Sequence, residues 1–296
     1  MITLLLITLI SHLIGDFVFQ TDSIARGRNS CDYKGFTRMK RSSFFNLIHG
    51  GIHGITLYIL IIFFDFISFT DLKPSFGLIL PITLTHFLID LLKPIFISIP
   101  HIYSLLINKL FKLINIGSYN IKYNRYKINF VIFIIDQLLH ISAIFIIFKI
   151  TLGLTIDCIY NFINSLPFTT NIHDKILVII LIIIFSTYAA AYFSKALLDS
   201  LKNDYEFTIN NILNNEKTLK EEARNGGFTI GILERLFIIL GIVMNHPTII
   251  PIVLTVKSIA RYKKFSNDSF VEYYIIGTFF SFVIAILCGA AIAKII

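Results

Sequence analysis

Cysteine is scarce and scattered in this chain. Cys31, Cys158 and Cys288 are far apart and odd in number, and no CxxC occurs. That argues against a disulfide framework and against a thiolate zinc site. Tryptophan is absent; together with abundant Ile, Asn, Lys and Phe this fits an AT-rich genome and excludes no function. Charge is sparse, with 15% of 296 residues being Asp, Glu, Lys or Arg. The polar stretches are short and carry little apolar pattern, so no water-soluble domain is evident. The first segment lacks a basic n-region and a small-residue cleavage site, and it carries His12 and Asp16. Residues 2–20 are therefore expected to be a retained helix rather than a signal peptide.

What is abundant is apolar. Hydrophobic residues make up 55% of the chain, mean hydropathy is +0.77, and long apolar runs recur throughout. The expected fold is all-α, a polytopic transmembrane helix bundle. About eight spans are expected, near residues 2–20, 44–66, 76–98, 129–151, 175–198, 227–245, 247–262 and 271–295. Pro251 makes the seventh the weakest. Residues 100–116 place Lys109 and Lys112 among apolar residues and read as an interfacial helix. The expected division is a metal-binding half, 1–152, and a supporting half, 153–296, whose mixed-charge segment 199–226 forms a cytoplasmic loop or hairpin.

The net charge of +8 sits mainly in loops. In a soluble protein it would suggest nucleic acid. Here it follows the positive-inside rule and attraction to anionic lipid, so nucleic acid is not an expected partner and the bilayer is. Basic residues fill 21–43 and 93–128 and are nearly absent from 67–75 and 152–174. The first two stretches are expected to be cytoplasmic and the other two external.

Four pairs of ionisable residues stand inside apolar segments at i, i+4 spacing: His12/Asp16, His49/His53, His86/Asp90 and Asp136/His140. That spacing puts both members of a pair on one helix face. With the expected topology, all four pairs fall at similar depth in the cytoplasmic half. An Asp at mid-helix costs about 2.5–3.5 kcal/mol to insert. Ligation of a metal supplies on the order of 10 kcal/mol. Imidazole and carboxylate are ordinary ligands of zinc, and also of manganese and iron. Eight such groups exceed the needs of one zinc ion and suit two, or one ion with further carboxylates orienting the imidazoles. A lone membrane His is more often an interhelical hydrogen-bond partner, but four pairs at one depth favour a divalent metal, with zinc foremost. Asp16 or Asp136 would act as ligand or general base. Gly50, Gly51 and Gly54 would allow close approach of neighbouring helices. Gln20 reads as an interfacial polar residue.

A second polar group lies in the C-terminal half. Glu234 and Arg235 stand within the sixth span, as a buried ion pair or an anion site. Lys257 and Arg261, again i, i+4, end the seventh. Converging Arg and Lys suit a phosphate or carboxylate. Lys263 and Lys264 read as flanking charges that snorkel.

With HLIGDFVFQ (12–20), the HGGIH segment (49–53), THFLID (85–90), DQLLH (136–140), GFTIGILERL (227–236), VKSIARYKKF (256–265) and VEYYIIGTFFSF (271–282) in view, the chain resembles a bacterial family of integral membrane proteins. That family is known as a domain of unknown function, of the DUF3307 type, with an N-terminal HxxGDFxxQ motif. The resemblance implies a multi-pass protein of the bacterial inner membrane and supplies no activity. More distantly, the helix-borne HxxxD pairs are similar in ligand type to inner-membrane proteins classed as metal-dependent hydrolases, and through them to zinc-dependent phospholipase C. This chain departs from the latter in lacking tryptophan and in being embedded. The leading expectation is a metal-dependent hydrolase acting on a lipid or phosphoester substrate. A divalent-metal or proton-coupled transporter remains open, as does a non-catalytic module whose structural metal supports partner recruitment.

Overall fold

The structure, a computed structural model, describes residues 1–28, 36–68, 77–93, 125–168, 171–201, 217–262, 265–266 and 268–296. The expected interfacial helix at 100–116, most of the loop 199–226, and Cys31, Lys263 and Lys264 lie outside these residues. Among the described residues the regular structure is helical throughout, with no strand.

Helix α1 (Ile2–Leu13) runs into a π-helical turn, Ile14–Val18. There follow α2 (Asp22–Arg28), α3 (Phe36–Ser68), α4 (residues 77–93), α5 (Arg125–Leu152) and α6 (Ile156–Ser165). Next come α7 (Ile172–Ile184), a second π turn (Phe185–Ala189) and α8 (Ala190–Leu201). Helices α9 (Lys217–Val243), α10 (Ile249–Arg261) and α11 (Asp268–Ile295) complete the chain. Several boundaries have local causes. The Thr155 hydroxyl accepts from the Cys158 N–H and caps α6, and the Asn171 side chain accepts from the His173 N–H and caps α7. Asn245, at φ 59°, supplies the left-handed residue that ends α9 before Pro247.

Two compact units form. The first comprises Ile14–Leu154 with Met1 and Asp199–Leu201; the second comprises Ile2–Leu13, Thr155–Leu198 and Lys202–Ile296. In the first unit, glycines set how closely helices approach. A Cβ at Gly54 would lie 2.8 Å from Thr83 Oγ1, and one at Gly50 would lie 3.3 Å from Phe87 Cβ, so α3 and α4 meet along this face. Gly51 faces open space. Of the three glycines expected to permit close approach, two do so. Gly27 admits the Phe45 ring to α2, and the Ser42 hydroxyl donates to the Arg28 carbonyl at 2.7 Å. In the second unit, Ile238, Ile239, Phe282, Ala285, Cys288 and Ile292 form a core between α9 and α11. Ile179, Ile182 and Ile183 of α7 and Ile250, Val253 and Leu254 of α10 pack on it. The Thr3 hydroxyl donates to Asp174 Oδ1 at 3.0 Å and links α1 to α7.

Four helical stretches among the described residues are long and apolar enough to cross a membrane: Ser42–Phe64, Lys127–Leu152, Ile172–Leu201 and Phe270–Ile295. Ile2–Val18 is apolar but shorter. The other expected spans, at 76–98, 227–245 and 247–262, overlap α4, α9 and α10, which are outside that set. Large apolar side chains on the long stretches face outward, among them Ile55, Ile150, Phe279 and Leu287. Unburied apolar surface along helices of this length points to a bilayer environment. In this tryptophan-free chain, a Phe279→Trp variant should give blue-shifted emission quenched by brominated lipid. Red emission quenched by aqueous iodide would contradict a lipid-facing position.

Candidate metal centre

Seven of the eight paired residues belong to the first unit. His49 and His53 stand one turn apart on α3, His86 and Asp90 on α4, and Asp136 and His140 on α5, while Asp16 sits in the first π turn. In that turn the Phe19 N–H donates to the Ile14 carbonyl five residues back, at 2.9 Å. π turns are frequent at functional sites because they re-aim a side chain within a helix.

All seven are buried, none more than 6% exposed. Asp16 Oδ1 lies 2.9 Å from His49 Nε2, 3.2 Å from His53 Nε2 and 3.7 Å from His86 Nε2. The Nε2 atoms of His49 and His53 are 3.3 Å apart. Asp90 Oδ2 lies 3.4 Å from His86 Nε2 and 3.8 Å from His49 Nε2. The imidazole of His86 packs on those of His53 and His140, with ring centroids 3.7 Å and 4.1 Å apart. Two groups thus gather their ligand atoms within 4.8 Å: Asp16/His49/His53/His86 and His86/Asp90/His140. They share His86.

The donor set fits a divalent ion. Three imidazole nitrogens converge on one carboxylate oxygen, which is itself only an acceptor. Oxygen and nitrogen donors of this kind suit zinc, manganese or iron. His140 Nδ1 is 2.8 Å from the Asp136 carbonyl. A carbonyl can only accept, so Nδ1 carries the proton and Nε2 keeps the lone pair a metal needs. Charge agrees in sign. Asp16, Asp90 and Asp136 are matched by the cationic side chains of Arg28 and Lys93, which leaves excess negative charge when the imidazoles are neutral.

Two residues expected as ligands are absent from the ligand groups among the described residues. Asp136 is in neither; its Oδ2 accepts from Lys93 Nζ at 2.7 Å. His12 is also in neither, and it belongs to the second unit as part of Ile2–Leu13. The winding changes from α to π between His12 and Asp16, and a wider i→i+5 turn no longer aligns residues four apart. Gln20, half-buried, joins neither group.

Several neighbours were not anticipated. Arg28 Nη2 pairs with Asp90 Oδ1, and Arg28 Nε donates to Asn46 Oδ1 at 3.1 Å. Asn46 Nδ2 reaches the Asp90 carbonyl at 3.4 Å. Gln137 Nε2 donates to Asp16 Oδ2 at 3.0 Å. In the sequence Arg28 and Lys93 read as loop charges. Lys93 nevertheless stands three residues after Asp90, and Asn46 three before His49, spacings that place each on a ligand-bearing face.

In the second unit the C-terminal polar residues sort differently from a Glu234–Arg235 pair. Glu234 Oε2 accepts from Lys257 Nζ at 2.5 Å. Arg235 donates through Nη1 to Ser281 Oγ at 3.0 Å and through Nη2 to the Thr187 carbonyl at 2.7 Å. Thr187 lies in the second π turn. The guanidinium of Arg261 lies beside Gly227.

Residues 4–167 match the family described as Protein of unknown function (DUF3307). No curated protein and no solved structure matches the chain. The matched region contains both ligand groups, while the stretches 227–236, 256–265 and 271–282 lie beyond it. A match over more than half of the chain, with the buried His/Asp centre inside it, makes the protein a member of the DUF3307 family.

Proposed function

We propose that the protein is a membrane-embedded metal-dependent hydrolase acting on a lipid or other phosphoester. The observation that carries this reading is the pair of buried ligand groups joined through His86. In it Asp16, His49, His53, His86, Asp90 and His140 hold one or two divalent ions, zinc foremost. A divalent ion held there would polarise the scissile group and lower the pKa of attacking water. The chain's own residues do the rest. Asp136, outside both groups and paired with Lys93, serves as general base. Gln137 holds the second oxygen of Asp16, and Arg28 with Asn46 orients Asp90.

The setting we propose is a multi-pass protein of the bacterial inner membrane with about eight spans. The excess of Lys and Arg in 21–43 and 93–128 supports a centre opening toward the cytoplasm. Lys93 supports the same side, because it begins the second basic stretch and stands on Asp136.

Elemental analysis of detergent-purified protein tests this reading, with wild type beside a His49→Ala/Asp90→Ala variant. The expected result is one or two equivalents of zinc, manganese or iron in wild type and none in the variant. Wild type that holds no metal would defeat the hydrolase and favour proton-coupled transport through the same titratable residues.

A further inference from the structure

The cationic group of the second unit has no part in the metal reading and stands independently of it. We propose that Arg235, Lys257 and Arg261 bind a phosphate-bearing anion. The argument starts from burial. Arg235 is 3% exposed and Glu234 is 6% exposed. Charge this deep in an apolar bundle is costly unless compensated. Lys257 compensates Glu234. Arg235 has only a hydroxyl and a backbone carbonyl as hydrogen-bond partners, and its buried Nε has none among the described residues. Arg261 has no carboxylate partner among those residues either.

The three cations are gathered by helix register. Lys257 and Arg261 are one turn apart on α10 and share a face. Gly227 and Gly231 are one turn apart on α9, and each lies beside a guanidinium. A Cβ at Gly231 would stand 3.6 Å from Arg235 Nη1, and one at Gly227 would stand 3.8 Å from Arg261 Nη2. The two guanidiniums therefore lie along successive turns of one glycine-bearing helix face. Lys257, one turn before Arg261, pairs with Glu234, the residue preceding Arg235, and its ammonium lies 5.9 Å from the Tyr274 ring centre. Among the described residues these three cations have one carboxylate contact, Lys257 with Glu234, and the excess is positive. Planar guanidiniums with donors to spare match the several acceptor oxygens of a phosphate. Small glycines leave backbone accessible to such a group. A lipid headgroup and a free phosphate or phosphoester offer the same chemistry.

Arg261 gives a clean test, because removing its charge breaks no ion pair among the described residues. The full chain is placed in phosphatidylcholine nanodiscs and titrated with inorganic phosphate by calorimetry at constant ionic strength. In parallel, nanodiscs doped with phosphatidylglycerol are analysed by native mass spectrometry for lipid retained on the protein. Heat from phosphate identifies a soluble ligand; retained phosphatidylglycerol without that heat identifies a headgroup. In either case Arg261→Gln should weaken binding roughly tenfold or more, while Lys294→Gln, at the far end of α11, should not. Absence of both signals in wild type would overturn the site. So would an undiminished signal in Arg261→Gln, or an equal loss in Lys294→Gln.

Discussion

Replacing His86 with alanine is expected to abolish metal retention altogether. His86 is the one residue common to both ligand groups. Its Nε2 lies within 3.7 Å of Asp16 Oδ1 and 3.4 Å of Asp90 Oδ2. Losing a residue that only orients a ligand costs roughly 10–100-fold in metal affinity. Losing a ligand shared by two groups should cost more. His140→Ala is the informative comparison, since His140 belongs to one group only. Metal analysis should find none in His86→Ala and a partial complement in His140→Ala. Wild-type stoichiometry in His86→Ala would show that the two groups do not form one centre.

Gly15→Ala should be nearly as damaging, although it removes no ligand. A Cβ at Gly15 would lie 2.4 Å from His53 Cε1, 2.5 Å from Nε2 and 2.7 Å from Nδ1. No carbon tolerates contacts that short. Either the π turn carrying Asp16 retreats, or the His53 imidazole rotates away from the Asp16 carboxylate that it now approaches at 3.2 Å. Both outcomes dismantle the Asp16/His49/His53/His86 group. Overpacking of this kind costs about 1–3 kcal/mol, so both thermal stability and metal content should fall. Gly51→Ala is the matched control. It faces open space in the middle of α3, and alanine there should be neutral or stabilising by about 0.5–1 kcal/mol. If Gly15→Ala keeps the melting temperature and metal content of Gly51→Ala, the close approach of the π turn to α3 is wrong.

His86 and Gly15 differ in how much of their role is legible in the sequence. His86 was legible, because His86/Asp90 is one of four i, i+4 pairs and helical periodicity follows from local chain geometry. Gly15 carried no comparable signal. Its neighbour Asp16 stood out, but the need for a hydrogen at position 15 exists only because α3 brings His53 against it. Arg28 and Lys93 were legible as positive charge and illegible as partners. Loop arginines and membrane-flanking lysines look alike in sequence, and only the fold sets Arg28 on Asp90 and Lys93 on Asp136. The Glu234/Arg235 neighbours illustrate the same limit. Adjacent residues on a helix point about 100° apart, so their partners come from other helices: Lys257 for one, Ser281 and the Thr187 carbonyl for the other.

The helical class, the apolar bilayer-compatible surface and the ionisable residues that must be compensated within it are legible in the linear order of residues. Each of these follows from hydropathy and from spacing along one helix, which are local properties. Which of those residues meet is set by how the helices pack. That packing assembled two pairs, Asp16 and His140 into two groups sharing His86, left Asp136 to Lys93, and set His12 in the other unit. The reason is physical: convergence depends on contacts between helices far apart in the chain, and on an α-to-π change of winding at Ile14 that residue spacing alone does not reveal.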